Sequence, residues 1–259
     1  MIIKTLEEIE IMREGGRKLA AVLDILKKEA KPGVRTKDLD KLAEKLILGE
    51  GGAPSFKGYK GARDQYPFPA TVCISVNDEV VHGLPGERAL RNGDIVGLDI
   101  GMKYKNLFTD MAETVIIGNP PAGGDETGEK LVRVTREALD LAISMVKPGL
   151  KTGDLGEAVQ KFIESNGFGI VRQLVGHGVG HKVHEEPQIP NWGKAGTGTT
   201  LRENMVIAIE PMVTEGSYEL YIAQDGWTWR TKDGSRAAHF EHTMVVARNG
   251  ADILTKLWP

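Results

Sequence analysis

The sequence predicts an α/β (α+β) fold in which one helix-helix-sheet unit occurs twice about a pseudo-two-fold axis. Two observations carry the prediction. The stretches "KPGVRTKDLDKLAEKLILGEGG" from Lys31 and "KPGLKTGDLGEAVQKFIESNGF" from Lys147 share Lys, Pro, Gly, Thr, Asp and Leu at a constant offset of 116 residues, and upstream Leu23-Asp24 answers Leu139-Asp140. Each helical pair is followed by a strand-rich segment, 71–117 and then 169–256. A two-fold repeat is too short for a solenoid, which needs about three units or more. The chain 1–259 is therefore expected to be a single domain of two similar halves, about 1–118 and 119–259, with a cleft where they meet. The expected layering is an α/β sandwich with the sheet between helices.

Thr5 and Glu8 have capping-box spacing, and Leu6, Ile9, Met12, Leu19, Val22, Leu23 and Leu26 keep a helical period around a weak point at Gly15-Gly16. This helix should end near Lys31-Pro32-Gly33. Thr36 is expected to N-cap a second helix that stops near Gly51-Gly52. In "GDIVGLDIG" (93–101), strand alternation puts Val96, Leu98 and Ile100 on one face and Asp99 on the other. A hairpin with Tyr104 and Lys105 at its tip sets Asp99 opposite Asp110, ahead of a β-branched return strand from Ala112 to Ile117, with Cβ atoms about 5 Å apart. Like charges so paired ask for a cation or another register; alone, the hairpin reads as a solvated face. "NPPAGGDETGE" (119–129) is the expected connector between halves.

A chain of 259 residues can bury a sizeable core, and 41% hydrophobic and 27% charged residues with a net charge of -3 give no basic surplus calling for nucleic acid. The single cysteine, Cys73, cannot form an internal disulfide, which fits a reducing compartment. The N-terminal "MIIKTLEEIEIMREGG" carries acids where a signal peptide would be apolar, and no apolar run approaches the about 18 residues of a membrane span. A cytoplasmic location without membrane contact is expected. The lysines between Lys27 and Lys45, interspersed with acids, read as a solvated helical surface.

All six histidines lie beyond residue 81: His82 in "NDEVVHGLP", His177, His181 and His184 in "GHGVGHKVHEEP", His239 and His242 in "AAHFEHTMVV". The 177-181-184 spacing would share a helix face, but glycines at 176, 178 and 180 each cost a helix about 1 kcal/mol and "HEEPQ" brings a proline. A glycine-rich strand or bulge presenting one or two histidines fits better. Glu210 ends "MVIAIEP" and Glu241 opens "EHTMVVA", each breaking an apolar run as Asp99 does. Four strand-borne acids with a glycine-flanked histidine suit divalent manganese, cobalt or iron, with zinc also admissible. A structural salt bridge explains any one acid equally well. For the five together metal binding is the better account, since buried anions need cations to stay ionised.

At these residues the chain resembles the type I methionine aminopeptidases, dinuclear-metal hydrolases of the pita-bread fold. The resemblance is carried by "VCISVNDEVVHGLP", "GDIVGLDIG", "GHGVGHKVHEEPQ", "IAIEPM" and "FEHTMVV" in that order, and runs over nearly the whole chain. It implies that Asp99, Asp110, His177, Glu210 and Glu241 ligate two divalent ions per chain (cobalt, manganese, iron, zinc or nickel), with Asp110 and Glu241 bridging. It implies an attacking hydroxide held between the ions, Glu210 as acid/base, His184 near the scissile carbonyl and His82 against the substrate backbone. Tyr59, Phe68, Cys73, Val183 and Trp227 occupy positions like those lining the family's methionine pocket. The implied reaction is removal of N-terminal methionine from peptides and nascent chains with a small second residue, by a monomer in transient contact with the ribosome. His181, His239 and His242 are left to packing or the surface.

"ARDQYP" (62–67) reads as an insertion between pocket-forming pieces, and Val183 stands where many relatives carry phenylalanine. Two alternatives remain: a proline-directed peptidase on the same fold, and a non-catalytic relative that binds protein or RNA. Five intact ligand positions disfavour the second.

Overall fold

A computed structural model describes residues 3–61, 65–118 and 124–257. Four α-helices, two per half, are present among the described residues: α1 Leu6–Glu29, α2 Thr36–Gly49, α3 Glu126–Met145 and α4 Thr152–Ser165. Helix α4 keeps the 116-residue offset from α2 at both ends, and α3 ends at that offset from α1 but starts four residues later than it predicts. The punctuation of α2 and α4 repeats too, with positive φ at Gly33 and Gly149 before each helix and at Gly51 and Gly167 after it.

The capping box of α1 forms as expected: the Thr5 hydroxyl accepts the Glu8 amide while the Glu8 carboxylate accepts that of Thr5. Gly15-Gly16 does not interrupt the helix. A Cβ at Gly16 would lie 2.4 Å from the Leu254 carbonyl oxygen, and one at Gly15 2.9 Å from Tyr104 Cβ, so the pair buys close approach to the sheet. Thr36 is not an N-cap. Arg35 holds that position, and the Thr36 hydroxyl instead donates to the Gly86 carbonyl and accepts the Gly86 amide, tying α2 to a neighbouring loop. Of the expected connector, residues 119–123 lie outside the described residues, Asp125 caps α3 and 126–129 are its first turn.

Among the described residues the main sheet is antiparallel and nine-stranded, and both halves share it. Strand Val72–Val76 pairs with Ile95–Tyr104, then come Leu107–Ile116, Glu241–Ala247, Val206–Ile209, Gly176–Gly178 and Glu185–Ile189. The halves join where Met111 faces His242 and Ala112 faces Glu241.

The layering differs from the expected sandwich. Val96, Leu98, Ile100 and Met111 pack against Leu19, Leu23 and Leu26 of α1 and Leu39 of α2. Ile207, Ile209, Met244 and Val246 pack against Leu131, Val134 and Ala138 of α3 and Leu155 and Val159 of α4. Because Met111 and Met244 fall on the same face by strand register, all four helices cover one side of the sheet. The other side carries Gly97, Asp99, Gly101, Asp110 and Glu241, which offer no apolar stripe to a second helical layer. Two small antiparallel sheets border it: Gly169–Ile170 with Met212–Thr214 and Ala237–His239, which packs on α3 and α4 through Ile170, Val213 and Ala238 and reaches the polar face where the Thr114 hydroxyl donates to the His239 carbonyl, and Glu79–Val81 with Trp229–Thr231 and Leu220–Ile222. No described helix is long and apolar enough to cross a membrane.

Candidate active site

The hairpin that carries both aspartates turns one residue later than expected. Lys105 and Asn106 form its tip with φ of 45° and 67°, as a two-residue type I′ turn requires, and asparagine tolerates that region well. Tyr104 therefore pairs with Leu107, Asp99 with Ala112, and Asp110 with Gly101. The shift of the pairing by two residues keeps both acids on one face but makes them diagonal neighbours, a relation of roughly 7–8 Å, instead of a direct pair.

From this register the site follows as two rows across the sheet. One runs Cys73, Asp99, Ala112, Glu241, and Glu210 sits at its end, one residue past strand Val206–Ile209. The other runs Gly101, Asp110, Thr243, Ala208, His177. Glycine and alanine alternate with the acids, leaving space above the sheet. The bulge between His177 and Gly178 is the irregularity that the glycine-rich stretch suggests, and no helix forms there.

One ligand atom each from Asp110, His177 and Glu241 all lie within 4.8 Å of one another. His177 Nε2 is 3.5 Å from Asp110 Oδ2, 3.5 Å from Glu210 Oε1 and 4.0 Å from Glu241 Oε1. The Thr243 hydroxyl lies 2.8 Å from Asp110 Oδ1, and the Asp110 amide donates back to it at 3.1 Å, which fixes the carboxylate's rotation. Asp99 Oδ1 is buried without a hydrogen-bond partner. A solvated hairpin face is thereby excluded, and among the described residues the charged groups that shift these acids are other acids and histidines, with no guanidinium or ammonium among them.

Left to one another, four such carboxylates resist ionisation. Burial, reinforced by Glu210 and Asp110 and opposed by His239, raises Asp99 to about 7. Burial raises Glu210 to about 8. The same cause, with mutual repulsion, lifts Glu241 well above the usual carboxylate range, and burial raises Asp110 against the pull of His177. An orphaned carboxylate oxygen, a tight Asp-His-Glu group and an excess of buried negative charge are what a divalent cation would relieve, so the residues fit a metal. Asp110, His177 and Glu241 form the compact part of the set; Asp99 and Glu210 flank it.

The cleft above is a cavity of about 260 Å³. Asp99, Asp110, His177, Glu210 and Glu241 line its floor, with Tyr59, Phe68, Cys73, His82, His184 and Trp227 around them. Val183 does not line it. That residue is buried within the loop that precedes strand Glu185–Ile189. Phe68, Cys73 and Trp227 form one apolar cluster, the Phe68 and Trp227 rings meeting edge-on with centroids 5.1 Å apart. Of the segment 62–67, residues 62–64 lie outside the described residues; Tyr66 meets Trp227 edge-on at 6.3 Å. His82 follows strand Glu79–Val81 with φ 58°, an uncommon conformation for a residue with a Cβ, and stands 6.3 Å from the Trp227 ring. His184 opens to the cleft, with Nδ1 2.8 Å from the Tyr59 hydroxyl and its ring against His177. Burial and the neighbouring His177 and His82 hold its pKa down to about 3.

Sequence reasoning missed several participants. His239, set aside there, is buried with Nε2 3.5 Å from Glu210 Oε2; alternation from Glu241 would have pointed it inward. Gln173, Leu174 and Val175 line the cavity immediately before the glycine-histidine stretch, and Met212 does so just after Glu210-Pro211. Phe56 carried no signal. His181 is half open to solvent against Glu8, and His242 meets Thr255, neither near the floor.

Residues 10–248 match the sequence family described as Metallopeptidase family M24. The chain is 44% identical over 257 residues to methionine aminopeptidase 1 of Bacillus subtilis, covering 99% of this chain and 100% of that one. It is 43% identical over 255 residues to the methionine aminopeptidase of Escherichia coli, covering 98% and 93%. Among solved structures, a methionine aminopeptidase from Thermotoga maritima superposes with a TM-score of 0.93 at 47% identity, covering 99% of each chain. A prolidase from Pyrococcus furiosus gives 0.77 at 26% identity, covering 100% of this chain and 66% of its own. Catalytic-type acids on a sheet shared by two repeated halves thus coincide with similarity over the full length: this chain belongs to metallopeptidase family M24.

Proposed function

We propose that the protein is a metal-dependent methionyl aminopeptidase, a hydrolase that removes the N-terminal methionine from peptides and nascent proteins with a small second residue. The observation that carries this reading is the convergence of ligand-type side chains from both halves beneath an apolar slot. Asp99, Asp110, His177, Glu210 and Glu241 would hold two divalent ions, drawn from cobalt, manganese, iron, zinc or nickel; two dications offset four carboxylates. Bound there, such ions supply Lewis acidity and bring the pKa of water down toward about 7.

The chain's own groups do the rest. Phe68, Cys73 and Trp227 receive the methionine side chain, whose thioether packs well against aromatic edges. Glu210, on the cavity floor, takes the proton of the attacking water and passes it to the leaving amine. With the Tyr59 hydroxyl donating to Nδ1, the neutral His184 ring keeps its one hydrogen on Nε2, free to be donated to the scissile carbonyl oxygen as negative charge grows there. His82, held between strand Glu79–Val81 and Trp227, contacts the substrate backbone. We take residues 1–259 to act as one catalytic unit of two halves, as a cytoplasmic monomer in transient contact with the ribosome.

Methionine release from Met-Ala-Ser peptides should stop on exhaustive chelation and return with a divalent ion, while Xaa-Pro substrates stay intact. Full turnover after chelation would overturn the reading. Cleavage of Xaa-Pro peptides would move the chain to the proline-directed branch represented by the prolidase.

A further inference from the structure

We propose that Lys4 and Glu185 form a buried strut that positions His184, so that the extreme N-terminal segment sets the rate of a reaction whose groups lie elsewhere. The inference rests on the reading of His184 given above. Lys4 Nζ is 2.8 Å from Glu185 Oε2, with side-chain exposures of 0% and 4%. The second oxygen of Glu185 accepts the backbone amides of His181 at 2.6 Å and Lys182 at 2.9 Å. The pair is therefore the anchor of the loop that delivers His184.

Further contacts show how closely the segment is built onto that loop. A Cβ at Gly180 would lie 2.1 Å from Lys4 Cε, so the lysine stem passes directly beneath the glycine. The Phe108 amide donates to the Gly180 carbonyl at 2.7 Å, and His181 Nε2 lies 2.6 Å from the Glu8 carboxylate at the start of α1. Lys4 is itself held by its amide donating to the Asn204 carbonyl.

Stability does not account for the strut. A buried ion pair loses most of its Coulombic gain to desolvation, and apolar pairs of similar volume often replace such pairs without loss. An apolar pair would not, however, supply an acceptor for the amides of His181 and Lys182. Around glycines 178 and 180 the backbone has little stiffness of its own, and those two hydrogen bonds determine where His184 begins. A carbonyl donor displaced by about 1 Å costs up to about a hundredfold in rate. Lys4 and Glu185 are accordingly positioning residues.

The test is a series in the full-length metal-loaded enzyme: K4M, K4M/E185M and K4Q/E185Q, with His184→Ala as reference. K4M should lower kcat by about tenfold to a hundredfold, with KM for Met-Ala-Ser and metal content unchanged. K4M/E185M should regain the Tm of the parent but not its kcat. K4Q/E185Q, which keeps a carbonyl oxygen for the two amides, should regain most of both. Recovery of kcat in step with Tm in K4M/E185M would overturn the strut. Should His184→Ala prove fully active, the reading of His184 falls instead, and amide exchange decides the strut: faster exchange at residues 181 and 182 in K4M/E185M but not in K4Q/E185Q upholds the anchoring, and equal exchange removes it.

Discussion

The two halves share their helices but not the way they reach the cleft. Helices α2 and α4 coincide at the common offset, and each begins with a threonine whose hydroxyl ties it to a neighbouring loop, Thr36 to Gly86 and Thr152 to the Thr199 amide. The strands diverge. The first half supplies Asp99 and Asp110 from a single hairpin, whereas the second supplies His177, Glu210 and Glu241 from three separate strands or their ends. The outer helical frame is common property, then, while the chemistry depends on strand register. A duplicated frame can hold unlike contributions because the sheet, continuous across the junction, measures both in the same ladder.

The largest effects should come from removing one acid from each half. Glu210→Gln should lower kcat by about 10²–10⁴-fold with the fold retained, the range for a lost acid/base group, and Asp99→Asn should be comparably damaging. An Asp99→Asn enzyme with near-normal turnover would show that the hairpin half is only scaffold. Next is a pH effect in the presence of chelator. Asp99 and Glu210 are raised to about 7 and about 8 in the fold, so they bind protons there more tightly than in the unfolded chain. Their contribution is complete below their ordinary range near pH 4 and is lost as pH climbs through 7 to 8. Without metal the Tm should fall between pH 5 and pH 8, and added divalent ion or the Asp99→Asn/Glu210→Gln pair should flatten that slope; a flat profile in the parent would show that the acids are not in this state.

Smaller effects probe the frame. At the common offset Gly16 of α1 corresponds to Val132 of α3. Transplanting valine, Gly16→Val, drives a side chain into the Leu254 carbonyl and should cost about 1–3 kcal/mol or more, read as a Tm drop, whereas Val132→Gly meets no clash and should cost about 1 kcal/mol, mainly the half-buried packing it gives up. Equal costs would mean that α1 lies no closer to its support than α3. Thr36→Val and Thr152→Val should each lose about 1 kcal/mol, which chemical denaturation resolves.

The repeat and the start of α1 were legible because their marks are local: a turn needs glycine at positive φ, as at Gly33 and Gly149, and a capping box needs Thr5 and Glu8 three residues apart. The face of Asp99 was legible from period-two alternation, which survives a register error of two. What could not be read was the register itself, which hung on whether Lys105 or Asn106 closes the turn, and the layering, which depends on how two halves join. Ala112 and Ala208 also escaped notice. Their contribution is the volume they leave unfilled between acids, and small side chains carry no mark of that in one dimension. That Val183 lies off the cavity lining could not be read either, since position in a loop does not say which way a side chain turns.

The uncharged state of His184 has a consequence for how the enzyme would respond to acidity. A ring held at about 3 keeps the same single hydrogen throughout the neutral range, so the hydrogen bond proposed from it to the substrate oxygen should be indifferent to mild acidification. An inflection in a rate profile near pH 6 is then expected from another group.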